Sequence, residues 1–231
     1  MTLKQIFTSS VGKKFIMAAT GLFLITFLIA HVGINSMIFF NDGGDTFNNA
    51  AHFMGTNLLI RTAEIGLLAG LLGHIIQGLV LTIQNRKLRP VGYAVTTDPK
   101  GSKWYSRSMG LLGTILLLFL IMHFIHFWIP SRITGLDETT LVTYDNKAVH
   151  NLFLKMVNIF ENPFVVGLYV LACASLCYHL LHGFESAFRT FGVVNKNYIS
   201  IVRVLGYGYT IIVSLLFAAM PICMYFKWIT I

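Results

Sequence analysis

Hydrophobic positions fall into five long runs, at about residues 15–40, 58–83, 109–129, 163–188 and 200–228, separated by polar and charged stretches. A helix needs roughly 20 apolar residues to cross a bilayer, and each run is long enough. The first run is too long, too basic on its near flank and too poor in cleavage signals to be a removable signal peptide. No internal repeat, low-complexity tract or separate soluble domain interrupts the pattern, and the longest connection, about 33 residues, is too short to fold an enzyme of its own. The pattern predicts an all-α polytopic membrane protein, a single membrane domain over residues 1–231 with five transmembrane helices. Pro221 marks a kink candidate in the fifth span.

Composition agrees with that pattern. Only 11% of the 231 residues are charged and 55% are hydrophobic, whereas soluble domains carry about 25% charged residues. The net charge of +8 is not a nucleic-acid signal, because it sorts by side. Lys4, Lys13 and Lys14 flank the first span; Arg86, Lys87, Arg89, Lys100, Lys103 and Arg107 fill the second connection; Arg189, Lys196 and Arg203 surround the fourth. The first connection has no Lys or Arg, and the third has three against four acids. Cytoplasmic loops carry the excess of Lys and Arg, so the amino terminus, second loop and fourth loop are expected in the cytoplasm. Trp104, Trp128 and Trp228 fall near span ends, where an aromatic belt belongs. Cys173, Cys177 and Cys223 read as small packing residues, too few for an iron–sulfur cluster.

Six of the eight histidines fall inside spans: His31, His74, His123, His126, His179 and His182. A lone membrane histidine usually makes a helix-packing hydrogen bond. Six spread over the first four spans, with none in the fifth, point instead to a functional path or a bound group. A rise of about 1.5 Å per residue puts His31 about 14 Å, His123 about 10 Å and His126 about 6 Å below the outer edge. It puts His74 about 16 Å, His179 about 15 Å and His182 about 10 Å from the inner edge. His31 therefore pairs with His123, and His74 with His179. Two histidines from two helices at one depth can grip an iron from both faces, the ligation of a b-type haem. Four at two levels predict two haems stacked across the membrane, without the C-x-x-C-H motif of covalent attachment. Gly33, Gly73, Gly78 and Gly183 lie near these histidines and offer flat surfaces, although small residues also let membrane helices approach closely. The alternative is a haem-free transporter or anchor using the histidines as a proton relay, but the repeats and broken helices expected of a transporter are not evident.

The stretches "SSVGKKFIMAATGLFL", "AHVG", "FNNAAHFM", "EIGLLAGLLGHIIQG", "MHFIHFW" and "CYHLLHGFESAF" follow one another from about residue 8 to residue 191. In that order they resemble the b558-type cytochrome b subunit of succinate dehydrogenase and fumarate reductase. That subunit is the single-chain, five-helix, di-haem anchor of succinate:quinone oxidoreductase (complex II). The resemblance implies one axial ligand per helix, His31 and His123 for the outer haem and His74 and His179 for the inner. His123 is chosen over His126 by the H-x4-W spacing to Trp128, and His179 over His182 by Gly183 four residues on. It further implies a flavoprotein (FAD) subunit and an iron–sulfur subunit on the cytoplasmic face, and a menaquinone or other quinone as electron partner. The expected setting is the respiratory chain of a bacterial cytoplasmic membrane, with a dimer of the whole complex among the assemblies allowed. No succinate chemistry, and no catalytic residue, is expected in this chain.

Second-sphere and propionate candidates are His126, His182, Ser9, Ser10, Lys13 and Trp104. Glu64, with Arg61 three residues before it and Asn35, Ser36 and His52 as weaker companions, is the candidate proton-exchanging group of an outer quinone site. Glu185 is expected to cap basic loop residues.

Overall fold

The computed structural model describes residues 9–88, 103–135, 141–144 and 147–230. Lys4, Arg89 and Lys100 of the charge pattern lie outside the described residues. Five helices are long and apolar enough to cross a membrane: α1 (Ser10–Asn35, continued by a 3-10 turn, Ser36–Phe40), α3 (Leu58–Lys87), α5 (Met109–His123, continued as π-helix to Thr134), α7 (Pro163–Thr190) and α8 (Lys196–Tyr225). The protein is an all-α polytopic membrane protein. Between the spans lie α2 (Asp45–Thr56), the single turn α4 (Trp104–Arg107), an antiparallel hairpin of β1 (Leu141–Tyr144) and β2 (Lys147–His150), and α6 (Leu152–Phe160).

Polar caps set where four of the spans begin, in α1 and α8 a few residues before the apolar run and in α3 and α7 at its first residue. Ser9 accepts from Gly12 N at 3.0 Å, so α1 begins five residues before the apolar run. Asn57, Asn162 and Asn195 cap α3, α7 and α8 in the same way, with Pro163 at the first position of α7, where its missing N–H costs nothing. The fifth helix stops at Tyr225, not at Trp228, because Lys227 adopts a left-handed φ of 55°. Proline shapes the third span: Pro130 has no N–H for the helical ladder, and the backbone around it widens to π-register over Phe124–Trp128 and Pro130–Thr134.

Four spans pack as a square. α1 lies against α3 and α7, and α5 lies against α7 and, less extensively, α3. The diagonal neighbours, α1 with α5 and α3 with α7, do not pack extensively. α8 stands outside the square, mainly against α7, with Gly206 giving the Phe184 ring room that a Cβ would take. α3 buries no residue fully, and its Ile65, Leu72, Ile76 and Ile83 are exposed to what a bilayer covers.

One end is capped by α2 and α6, which the hydrophobic pattern did not reveal because the segments are much shorter than a span. Phe47, Phe153, Met156 and Phe160 from these two helices join Val32, Val166, Tyr169 and Met220 of the spans in one apolar core. Buried Asn48 ties the cap together, donating to Asn151 Oδ1 at 2.9 Å and accepting from Phe153 N at 3.0 Å. Gly44 is required beside them: its φ is +87°, and a Cβ would lie 2.2 Å from the Phe153 ring. The opposite end carries Lys13, Lys14, Arg86, Lys87, Lys103, Arg107, Arg189, Lys196 and Arg203, with Glu185 as the one acid among the described residues there. These are the capped end and the basic end below.

Candidate functional site

The square's diagonals are where the histidines meet. His31 of α1 and His123 of α5 lie with ring centres 5.9 Å apart and planes at 89°. His74 of α3 and His179 of α7 lie 6.2 Å apart with planes at 68°. Each pair therefore spans two helices that otherwise barely touch, one pair toward the capped end and one toward the basic end. Two imidazoles bound through nitrogen to one metal, each at about 2 Å, have ring centres roughly 6 Å apart. A flat macrocycle between paired rings displaces little helix–helix packing along an unpacked diagonal. Among the described residues no three His, Cys, Asp or Glu side chains converge as a metal cluster; a porphyrin supplies the remaining ligands itself and needs only the pair.

Hydrogen bonding sorts the ring nitrogens. The Thr20 hydroxyl donates to Ile16 O at 2.8 Å and sits 3.1 Å from His74 Nδ1. Its one proton is directed at the carbonyl, so Thr20 Oγ1 accepts from His74 Nδ1–H. That tautomer leaves the Nε2 lone pair free to bind a metal. The His74 ring lies beside Gly21, the next residue, where a Cβ would stand 3.5 Å from His74 Cε1, an ordinary van der Waals contact. Among the described residues, His123 Nδ1, His179 Nδ1 and Gln77 Nε2 are buried without a hydrogen-bond partner, as are Thr210 Oγ1 and Ser214 Oγ on α8. Such orphaned atoms are rare in finished interiors; at His123 and His179 they fit a site that binds a further group. Asn35 donates to His31 O at 2.8 Å and is only at the limit of reach, 3.4 Å, from His31 Nδ1.

Aromatic rings enclose the pair nearer the capped end. Phe27 stacks on His31 at 5.1 Å, Phe217 lies 5.5 Å away, and Phe119, Phe127 and Tyr169 surround His123. Of the glycines noted in the sequence, Gly33 and Gly183 face open space, whereas Gly73 and Gly78 approach Thr20 and Met17 of α1 and serve helix packing.

His126, on the π-segment, and His182, on α7, also use Nδ1 on protein partners, but among the described residues neither ring meets a histidine of another helix. His126 Nδ1 lies 3.0 Å from Tyr169 Oη with the rings stacked, and His182 Nδ1 lies 2.8 Å from Ser106 Oγ. The propionate candidates also have local roles: Ser9 caps α1, Lys13 reaches Gln84, Trp104 packs edge-on to Tyr178, and Ser10 is exposed. Glu185 binds Arg189 and Arg203, the capping of basic residues that its position suggested.

Glu64 lies in a groove of about 390 Å³ lined by Leu58, Arg61, Ile65, Trp128, Arg132 and Ile133 among others. Its carboxylate accepts from Arg61, from Trp128 Nε1 at 2.7 Å and from Arg132 Nε at 3.2 Å. Arg61 and Glu64 are thus together, whereas Asn35, on α1, does not line the groove. Sequence reasoning missed Trp128 and Arg132 as partners of Glu64, because the π-register around Pro130 determines where they point. Thr20 and Tyr169 carried no signal at all, since their histidines lie 54 and 43 residues away in sequence.

A scan against protein-family models, a search of the curated proteins and a search of the solved structures each found no match to this chain.

Proposed function

We propose that the chain is a di-haem cytochrome b membrane anchor of the succinate:quinone oxidoreductase kind, passing electrons between an iron–sulfur partner and a membrane quinone. The observation that carries the reading is the meeting of two histidine pairs across both diagonals of a four-helix square. When bound, haem supplies one-electron chemistry that no side chain here offers. The chain's own part is to hold and insulate it. His31 and His123 take one iron, and His74 and His179 the other. Thr20 fixes the His74 tautomer, and the Phe27, Phe119 and Phe127 rings keep water from the pair nearer the capped end.

The groove at Glu64 is the proposed quinone contact, because it lies at Trp128, five residues beyond His123 along the third span, and combines apolar walls with a charged floor. Two guanidiniums and an indole hold that carboxylate. Proton exchange with a quinone then requires one of those donors to move. By the positive-inside rule the basic end faces the cytoplasm, and flavoprotein and iron–sulfur subunits dock there. The proposed setting is a bacterial cytoplasmic membrane.

A proton relay is the competing reading. It uses the same histidines but does not account for their meeting pairwise across the diagonals, at two levels roughly a dozen Å apart along the axis. A reduced-minus-oxidised spectrum of the purified chain decides between the readings. A b-type α-band with two haems per chain is expected; its absence ends the haem reading.

A further inference from the structure

At the basic end, a cluster on the seam between α7 and α8 stands apart from the histidine pairs and does not depend on the haem reading. Lys103 Nζ donates to Tyr207 Oη at 2.8 Å and lies 5.5 Å from the ring centres of both Tyr105 and Tyr207. Hydrogen bonding to Tyr105, and then to Tyr207, holds its pKa above the ordinary lysine value. One turn before Tyr207, Arg203 is bound to Glu185, which also takes Arg189. Among the described residues, one carboxylate therefore serves two guanidiniums while Lys103 has none, leaving these residues with an excess of positive charge. Trp104 and Tyr178 pack at 5.5 Å beside it, as expected of a membrane–water interface.

An apolar track continues from the cluster into the bilayer. The contacts of Glu185 with Arg203 and of Phe184 with Gly206 set the antiparallel register. That register places Tyr178 opposite Ile211, and Leu171 near Leu215; all four side chains are exposed. Positive charge with hydroxyl donors at the interface, followed by an exposed apolar strip, complements a phosphate with attached acyl chains.

We propose that this seam binds one anionic phospholipid of the leaflet at the basic end. Its phosphate sits on Lys103, Tyr105 and Tyr207, with Arg203 adding charge, and its acyl chain lies along Tyr178, Ile211 and Leu215. Basic pockets between spans on the cytoplasmic side bind such headgroups. An acidic segment of a partner protein would use the charges but not the apolar track, which favours the lipid.

The test uses the full chain reconstituted into nanodiscs of equimolar phosphatidylcholine and phosphatidylglycerol, then examined by native mass spectrometry. Wild type is expected to retain one phosphatidylglycerol in preference to phosphatidylcholine. Lys103→Gln should lower that retention about five-fold, the effect of one interfacial cation, while Lys87→Gln, on α3, leaves it unchanged. Tyr207→Phe keeps the ring and should give a smaller loss, so the proposal stays testable if Lys103→Gln fails to fold; equal thermal unfolding certifies each variant. Equal retention by Lys103→Gln and wild type overturns the proposal, as does equal retention of phosphatidylcholine. Complete displacement by inorganic phosphate would show a free-anion site instead. Weakened binding of a polyglutamate peptide by Lys103→Gln, with lipid retention unchanged, would show a protein-docking surface instead.

Discussion

Thr20→Val tests the proposed inner haem site through a residue that touches no iron. Valine keeps the branched shape and the packing against α3 but removes the oxygen that accepts from His74 Nδ1–H at 3.1 Å. Two outcomes are open to the imidazole, and both oppose metal binding. Keeping its proton on Nδ1 leaves a donor unpaired inside the bundle, at about 1–3 kcal/mol. Moving the proton to Nε2 removes the lone pair that would bind the metal. Loss of such an orienting partner lowers metal affinity about 10- to 100-fold, equivalent to about 1.4–2.7 kcal/mol. The assay is the haem-to-protein ratio of purified chain from haem-limited cells, with a redox titration to resolve the two components. The ratio should fall from two toward one, with the component assigned to His31 and His123 unchanged. Thr26→Val is the control, because its exposed side chain bonds only to Leu22 O. Retention of both haems at unchanged potentials by Thr20→Val, or equal loss in Thr26→Val, would refute the tautomer argument.

Other predictions follow from the same structure. His179→Ala should remove one haem and His182→Ala neither, read from the α-band; the reverse pattern overturns the ligand assignment. Glu64→Gln should leave both haems in place and slow electron exchange with quinone at least ten-fold, measured by haem reduction with a quinol analogue; an unchanged rate rules Glu64 out. Gly44→Ala forces a β-carbon into Phe153 at positive φ and should destabilise the capped end by about 1–3 kcal/mol, seen as a lowered Tm in detergent. Asp42 accepts from the Thr46 hydroxyl and from the Thr46 and Gly44 amides, which hold its pKa below the ordinary value, the hydroxyl contributing most. Because the folded pKa is the lower one, this contribution is present above the unfolded value of about 3.9 and is lost as pH falls through the folded pKa. Hydrogen exchange at the start of α2 should therefore rise only below that value, and Asp42→Asn should remove the dependence.

The number of spans, their approximate limits and the relative depth of the histidines were legible in the sequence alone. Apolar runs dictate insertion whatever their partners, and helical rise converts residue count into depth. Hence His31 could be matched with His123, and His74 with His179, before any contact was known, and the structure brings both pairs together. Span ends were less legible, because they depend on caps such as Ser9 and Asn195 and on the left-handed Lys227, which hydrophobicity does not register. The cap built by Asn48, Phe47 and Phe153 was illegible for a related reason: short amphipathic segments acquire a burial pattern only once they lie on one another. Only the tertiary structure decided which helices face one another across the square, that Thr20 orients His74, and that a π-register turns Trp128 and Arg132 onto Glu64. Those choices rest on side chains far apart in sequence competing for the same few ångströms, and a linear pattern holds no record of which of them wins.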